Sequence, residues 1–138
     1  MKRISLIFVS LFSCCCFLCQ AQLMPLNGET VTLDTKEGVI NGKLLLPNGG
    51  KTYPVVLLIA GSGPTDMDNM KNNSLKFLAE GLAANGIASL RFDKRGIATS
   101  ATAGKEESLL RFEDYVNDVK GWINYLAKDK RFTGITVV

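Results

Sequence analysis

Histidine is absent from all 138 residues, so no imidazole within this chain can serve as the base of a Ser-His-Asp or Cys-His arrangement. Cysteine is absent where it would matter structurally. All four, Cys14, Cys15, Cys16 and Cys19, sit close together near the N-terminus, and the rest of the chain can hold neither a disulfide scaffold nor a thiolate metal site. Excess charge is missing as well: setting Lys2 and Arg3 aside takes the formal net charge from +3 to +1, too balanced for a nucleic-acid partner. No repeat, low-complexity stretch or linker-like composition interrupts the sequence, which leaves one domain or part of one.

The nucleotide-binding signatures are also incomplete. Gly61-Ser62-Gly63 is a Gly-x-Gly, but Asp66 stands where the third glycine of a dinucleotide fingerprint would be. No Lys-Ser or Lys-Thr follows at Walker spacing. Asp66 and Asp68 could be imagined as metal ligands, yet two carboxylates without further spaced partners make a weak site. No metal and no cofactor is expected.

What is present begins with an export signal. Lys2 and Arg3 precede an apolar run from Ile4 to Phe12, and Ala21 offers a small residue for cleavage before Gln22. The run is short for a transmembrane helix, which needs roughly 20 residues. Residues 1–21 are therefore read as a signal peptide and 22–138 as the domain. Leu11-Phe12-Ser13-Cys14 loosely resembles a lipidation box, and a membrane association is expected only if Cys14 is lipidated. Both readings export the protein, to the periplasm or the exterior.

Along the domain, Glu29 to Leu33 alternates Val31 and Leu33 with threonines, and Val39 to Leu46 ends in Pro47-Asn48-Gly49-Gly50, which predicts an antiparallel strand pair. Pro54 to Ala60 is apolar on both faces, the mark of a central parallel strand covered on each side. Ser74 is placed to cap a helix bearing Leu75, Leu78, Ala79 and Leu82 on one face, closed by Asn85-Gly86. Ile87 to Phe92 is a second buried strand, joined to the first by a right-handed crossover. A polar loop from Asp93 to about Leu109 leads to a helix over Phe112 to Lys130. Its stripe is Phe112, Tyr115, Val116, Val119, Ile123 and Leu126, with Glu113 and Asp114 at its start and basic residues at its end to suit the dipole. Thr133-Gly134 is expected to break that helix before a last strand from Ile135 to Val138. The fold class is α/β: a mostly parallel sheet with an antiparallel N-terminal strand pair and helices on both faces.

The segment Leu58-Ile59-Ala60-Gly61-Ser62-Gly63-Pro64-Thr65-Asp66 carries the strongest functional signal. Glycines at the carboxyl end of a buried strand permit a sharp turn and leave backbone N–H groups where open α/β sheets bind ligands. Donors fixed there can stabilise an oxyanion; the plainer alternative is a turn and nothing more. A second segment, Arg91-Phe92-Asp93-Lys94-Arg95-Gly96-Ile97-Ala98-Thr99-Ser100, follows the next strand. Asp93 and Arg95 are read as structural, paired with each other or with backbone groups. Tyr115, Trp122 and Tyr125 are read as helix packing. Ser62, Ser74, Ser100 and Ser108 lie outside any Gly-x-Ser-x-Gly elbow, so no catalytic residue is assigned.

The two segments at this separation resemble the α/β-hydrolase superfamily, over roughly Gly28 to Val138. More narrowly they are similar to its secreted esterase and serine-aminopeptidase-like branch, whose motifs commonly read Gly-Ser-Gly-Pro-x-Asp and Asp-x-Arg-Gly-x-Gly-x-Ser. The resemblance implies hydrolysis of an ester, thioester or amide in a small-molecule ester or peptide-like substrate. It places one oxyanion N–H on Ser62, with Gly61 and Gly63 shaping the turn. The nucleophile would sit on the turn after the Ile135–Val138 strand, so the chain reads as the N-terminal half of such an enzyme, without triad activity of its own. The rival reading is a short non-catalytic exported protein that binds a ligand or partner along its open sheet edge. Two departures are visible: Ala98 replaces a usual glycine, and Met67-Asp68-Asn69-Met70 replaces a usual Arg-Asp-Gly-Asn, so loop geometry beside the pocket is expected to differ.

Overall fold

The computed structural model describes residues 28–138; the signal peptide and cleavage at Ala21 expected from the sequence, and Cys14, lie outside the described residues. Five strands form one mixed sheet in the order β1-β2-β4-β3-β5. β1 (Gly28–Asp34) and β2 (Val39–Leu45) pair antiparallel through a turn in which Thr35 donates to the Gly38 carbonyl from both its N–H and its hydroxyl. β2 also pairs antiparallel with β4 (Ala88–Phe92), and β3 (Tyr53–Leu58) lies parallel between β4 and β5 (Phe132–Val137). Among the described residues β5 has a neighbour on one side only, the open edge expected of the last strand.

Strand alternation divides the apolar residues between two cores. Val55 and Leu57 of β3 with Ala88, Leu90 and Phe92 of β4 face α2 (Phe112–Ala127), whose Trp122 and Leu126 are fully buried against them. Leu45, Val56 and Leu58 face the other way, against Ala79 and Ala83 of α1 (Ser74–Ala84). The helices thus cover both faces, as a buried parallel pair requires. Gly42 permits this packing at one point: a Cβ there would stand 3.2 Å from the Trp122 ring and 3.0 Å from the Arg91 carbonyl.

Several local expectations are corrected. Ser74 does not cap α1; Asn73 occupies the cap with a left-handed backbone, φ 54°, and the Ser74 hydroxyl instead accepts from the Asn69 amide. Leu78 is turned outward, and the buried face of α1 runs through Ala79 and Ala83. Phe112 is 76% exposed because it opens α2 ahead of the first turn that meets the sheet, whereas Asp118 and Trp122 occupy the buried stripe. α2 stops at Ala127, so Lys128, Lys130 and Arg131 lie beyond its last turn. Thr133-Gly134 sits inside β5, at an irregularity in register opposite Tyr53 and Pro54; pairing with β3 overrides the glycine's weak strand preference.

The polar loop after β4 holds two short 3-10 turns, Ala98–Ala103 and Glu107–Leu109. Ala98, the departure noted in the sequence, has φ 46°. A left-handed conformation costs a non-glycine residue roughly 1–2 kcal/mol, while glycine loses roughly 0.5–1 kcal/mol more than alanine in unfolded-state entropy. Ala98→Gly should therefore raise stability by about 0.5–1 kcal/mol, read as a higher urea midpoint at unchanged slope. An equal or lower midpoint would show that the surrounding turn relieves the strain in another way.

Candidate active site

β3 and β4 run parallel, so the chain leaves both at the same edge of the sheet, and the two following loops face each other there. Between them and the first turns of α2 lies a cleft of about 870 Å³. One wall is Gly61 to Pro64, the second is Lys94 to Ile97, and the floor includes Tyr115 and Val119. Gly63 takes φ 89°, a conformation glycine adopts without penalty. Ser62 is exposed, and its backbone N–H has no acceptor among the described residues. The Gly61-Ser62-Gly63 segment therefore lies at the cleft with a free donor. Sequence reasoning singled out these three residues, and the fold brings them to this edge.

The three residues after β4 each reach a different destination. Asp93 is 1% exposed; its Oδ1 accepts from the Met67 N–H at 2.7 Å and its Oδ2 from the Thr99 N–H at 2.9 Å and the Thr99 hydroxyl. It ties the two loops together. Lys94 Nζ donates to the Gly61 carbonyl and, at 3.1 Å, to the Gly63 carbonyl, and stands 5.8 Å from the centre of the Tyr115 ring. Burial lowers the Lys94 pKa from the ordinary lysine value. Arg95 forks onto Asp118 of α2, Nε to Oδ2 at 2.9 Å and Nη2 to Oδ1 at 2.5 Å, with both side chains only 3% exposed. Its Nη1 reaches Glu37 and the Ala103 carbonyl, each at 3.3 Å.

Asp93 and Arg95 were expected to pair with each other or with backbone, and the first half of that expectation is corrected. Lys94 separates them where the chain turns out of β4, and Asp93 reaches the neighbouring loop backbone while Arg95 reaches α2. Asp118 is the partner that sequence reasoning missed. A signal was available: an acid at helical spacing within the stripe of Tyr115, Val119 and Trp122 has to be matched when buried. Burial pushes the Asp118 carboxyl above the usual carboxylate range, against the pull of Arg95. Nearby, Lys105 bridges Glu37 at 3.2 Å and Asp114 at 2.6 Å, and its hydrogen bond to each is the leading cause that holds both carboxyls below their usual range.

The remaining candidates disperse. Asp66 Oδ1 accepts from the Met70 N–H at 2.9 Å, and Asp68 pairs with Arg91 Nε at 2.7 Å. No group of three or more His, Cys, Asp or Glu that could hold a metal occurs among the described residues. Ser100 is buried, accepting from the Asn41 N–H at 2.8 Å, and Trp122 is packed between Phe92 and Tyr125 with ring centres 5.7 and 5.5 Å away. Tyr115, read as packing, lines the cleft as well.

No protein-family model matches the chain. Over 77 residues it is 39% identical to esterase EstD of Thermotoga maritima, a match covering 52% of this chain and 19% of that protein. Among solved structures, an α/β serine hydrolase without lid from Xanthomonas campestris is similar at TM-score 0.55 and 25% identity, over 83% of this chain and 52% of that one. The α/β hydrolase GrgF from a Penicillium species is similar at TM-score 0.62 and 17% identity, over 81% and 37%. The chain spans about a fifth of the curated relative and between a third and about a half of these two structures.

The buried pair yields a test. Arg95→Met should cost about 3–5 kcal/mol, because Asp118 is left buried and unpaired. Arg95→Met combined with Asp118→Leu should recover most of that loss, since a volume-matched apolar pair avoids both desolvation terms. Urea unfolding of the two variants checks this; a double variant as unstable as the single one would mean that the pair is not where the stability resides.

Proposed function

We propose that this chain, similar over part of its length to an esterase and in fold to α/β hydrolases, belongs to the α/β-hydrolase superfamily and supplies the oxyanion side of the active site of an exported serine hydrolase. The substrate class is an ester first, by likeness to an esterase, with thioesters and amides open to the same chemistry. A serine oxygen adds to the carbonyl carbon, the carbonyl oxygen takes up negative charge, and collapse of the tetrahedral species expels the alcohol or amine. The Ser62 N–H is one donor to that oxygen. The serine and its base belong to the whole protein, outside these 138 residues.

The observation that carries this reading is the free Ser62 N–H at the mouth of the cleft, on the glycine turn that follows the parallel strand β3. Ligands in open α/β sheets bind at that carboxyl edge. A donor preorganised where charge develops is commonly the largest catalytic term, worth roughly 10²–10³ in kcat where single donors have been removed.

The test compares this 138-residue chain with the product of its complete reading frame, using p-nitrophenyl acetate and a fluorophosphonate probe. The longer product is expected to hydrolyse the ester and to be labelled on a serine outside the 138 residues, while the shorter chain does neither. A longer product that neither hydrolyses nor labels overturns the proposal.

Export is the second half of the proposal. N-terminal sequencing of the protein recovered outside the cytoplasm should begin at Gln22. An acylated N-terminus at Cys14 would replace the soluble form with a membrane-anchored one, and protein retained in the cytoplasm with Met1 to Ala21 intact would overturn export.

A further inference from the structure

The glycine turn has little to hold it. A Cβ built on Gly61 or on Gly63 would meet nothing within 4 Å, so packing does not fix either residue. Within the turn, the Thr65 N–H reaches the Gly63 carbonyl at 3.0 Å and the Thr65 hydroxyl lies 3.5 Å from the Ser62 carbonyl. Among the described residues the Gly61 carbonyl accepts from Lys94 alone. Glycine-flanked peptide planes rotate easily, and a donor that turns away from the cleft stabilises nothing.

The Gly61 carbonyl and the Ser62 N–H belong to the same planar peptide unit. No peptide among the described residues is cis, so the two groups point in opposite directions and fixing one fixes the other. Lys94 grips that carbonyl and the Gly63 carbonyl from the loop after β4, while its ammonium faces Tyr115 on α2. One side chain thus joins three elements: the glycine turn, the loop after β4 and the first turns of α2. A compact ammonium with three donors on a flexible stem can converge on two carbonyls where a planar guanidinium fork fits less well.

We propose that Lys94 is a positioning residue, a clamp on the Gly61 and Gly63 carbonyls that aims the Ser62 N–H at the reacting carbonyl oxygen. The inference rests on the hydrolase reading above for its chemistry, but the clamp itself can be observed without turnover.

Two measurements test it. In amide NMR of the folded protein, Lys94→Met, which keeps the apolar stem, should lower the order parameters of Ser62 and Gly63 and speed exchange of the Ser62 amide. Thermal unfolding and the Trp122 emission should be unchanged, and Lys94→Arg should restore part of the order. Unchanged Ser62 and Gly63 amides in Lys94→Met would overturn the clamp, whatever the activity. In the product of the complete reading frame, Lys94→Met should lower kcat for p-nitrophenyl acetate by roughly tenfold to a hundredfold, less than removal of an oxyanion donor itself, with KM within about twofold and Lys94→Arg intermediate. An unchanged kcat, or a rise in KM alone, would overturn the aiming role. If the parent protein hydrolyses no ester, the functional reading fails by itself and the amides alone decide the clamp.

Discussion

The bidentate pair between Arg95 and Asp118 is the interaction on which the functional end of this structure depends. It is buried, so its members must satisfy each other, and it joins the loop after β4 to the middle of α2. Without it the loop carrying Lys94 and Gly96 would lose its buried tie to α2. Lys105, Glu37 and Asp114 extend the pair outward into solvent, where each contact is worth much less.

Asp93, Lys94 and Arg95 divide one task among consecutive positions. Asp93 stitches the two loops to each other, Lys94 holds the glycine turn, and Arg95 anchors the assembly to α2. Each acts through backbone, because its contacts constrain the loops that line the cleft. The Ser62 N–H is itself backbone, so what determines its direction is the set of contacts made by its neighbours' carbonyls.

Much of the fold was legible in the sequence because the signals were local. Alternation in Val31 and Leu33, the continuous apolar run from Val55 to Leu58 and the Asn85-Gly86 stop each report on their own few residues. The glycine turn at Gly61 to Gly63 was legible for the same reason. The failures came where a distant partner decides. Ser74 was judged a cap by residue type, but Asn73 enters α1 in a left-handed turn that leaves the serine hydroxyl to Asn69. Phe112 was counted into a stripe by spacing, although nothing packs on the first turn of α2 at that position. Thr133-Gly134 looked like a break because strand pairing with β3 cannot be read from two residues. Asp93 and Arg95, separated by one residue, are read from sequence as pairing with each other or with backbone; Asp93 does bind backbone N–H groups, while the carboxylate that takes Arg95 lies on α2.

The strand order also has a consequence for how the chain reaches this state. β1 and β2 can close on each other through the Thr35–Gly38 turn as soon as both are made. β2 and β3, however, are not neighbours: β4 lies between them in the sheet while following both in sequence. Until Phe92 has emerged during synthesis, the hairpin and β3 have no common partner, and Ile40, Leu44, Val55 and Leu57 remain without their final cover. Contacts that close long stretches of chain form slowly, and the pairing of Tyr53 with Phe132 closes a longer stretch than that of Gly42 with Phe92, so β4 joins the hairpin to β3 before β5 completes the sheet.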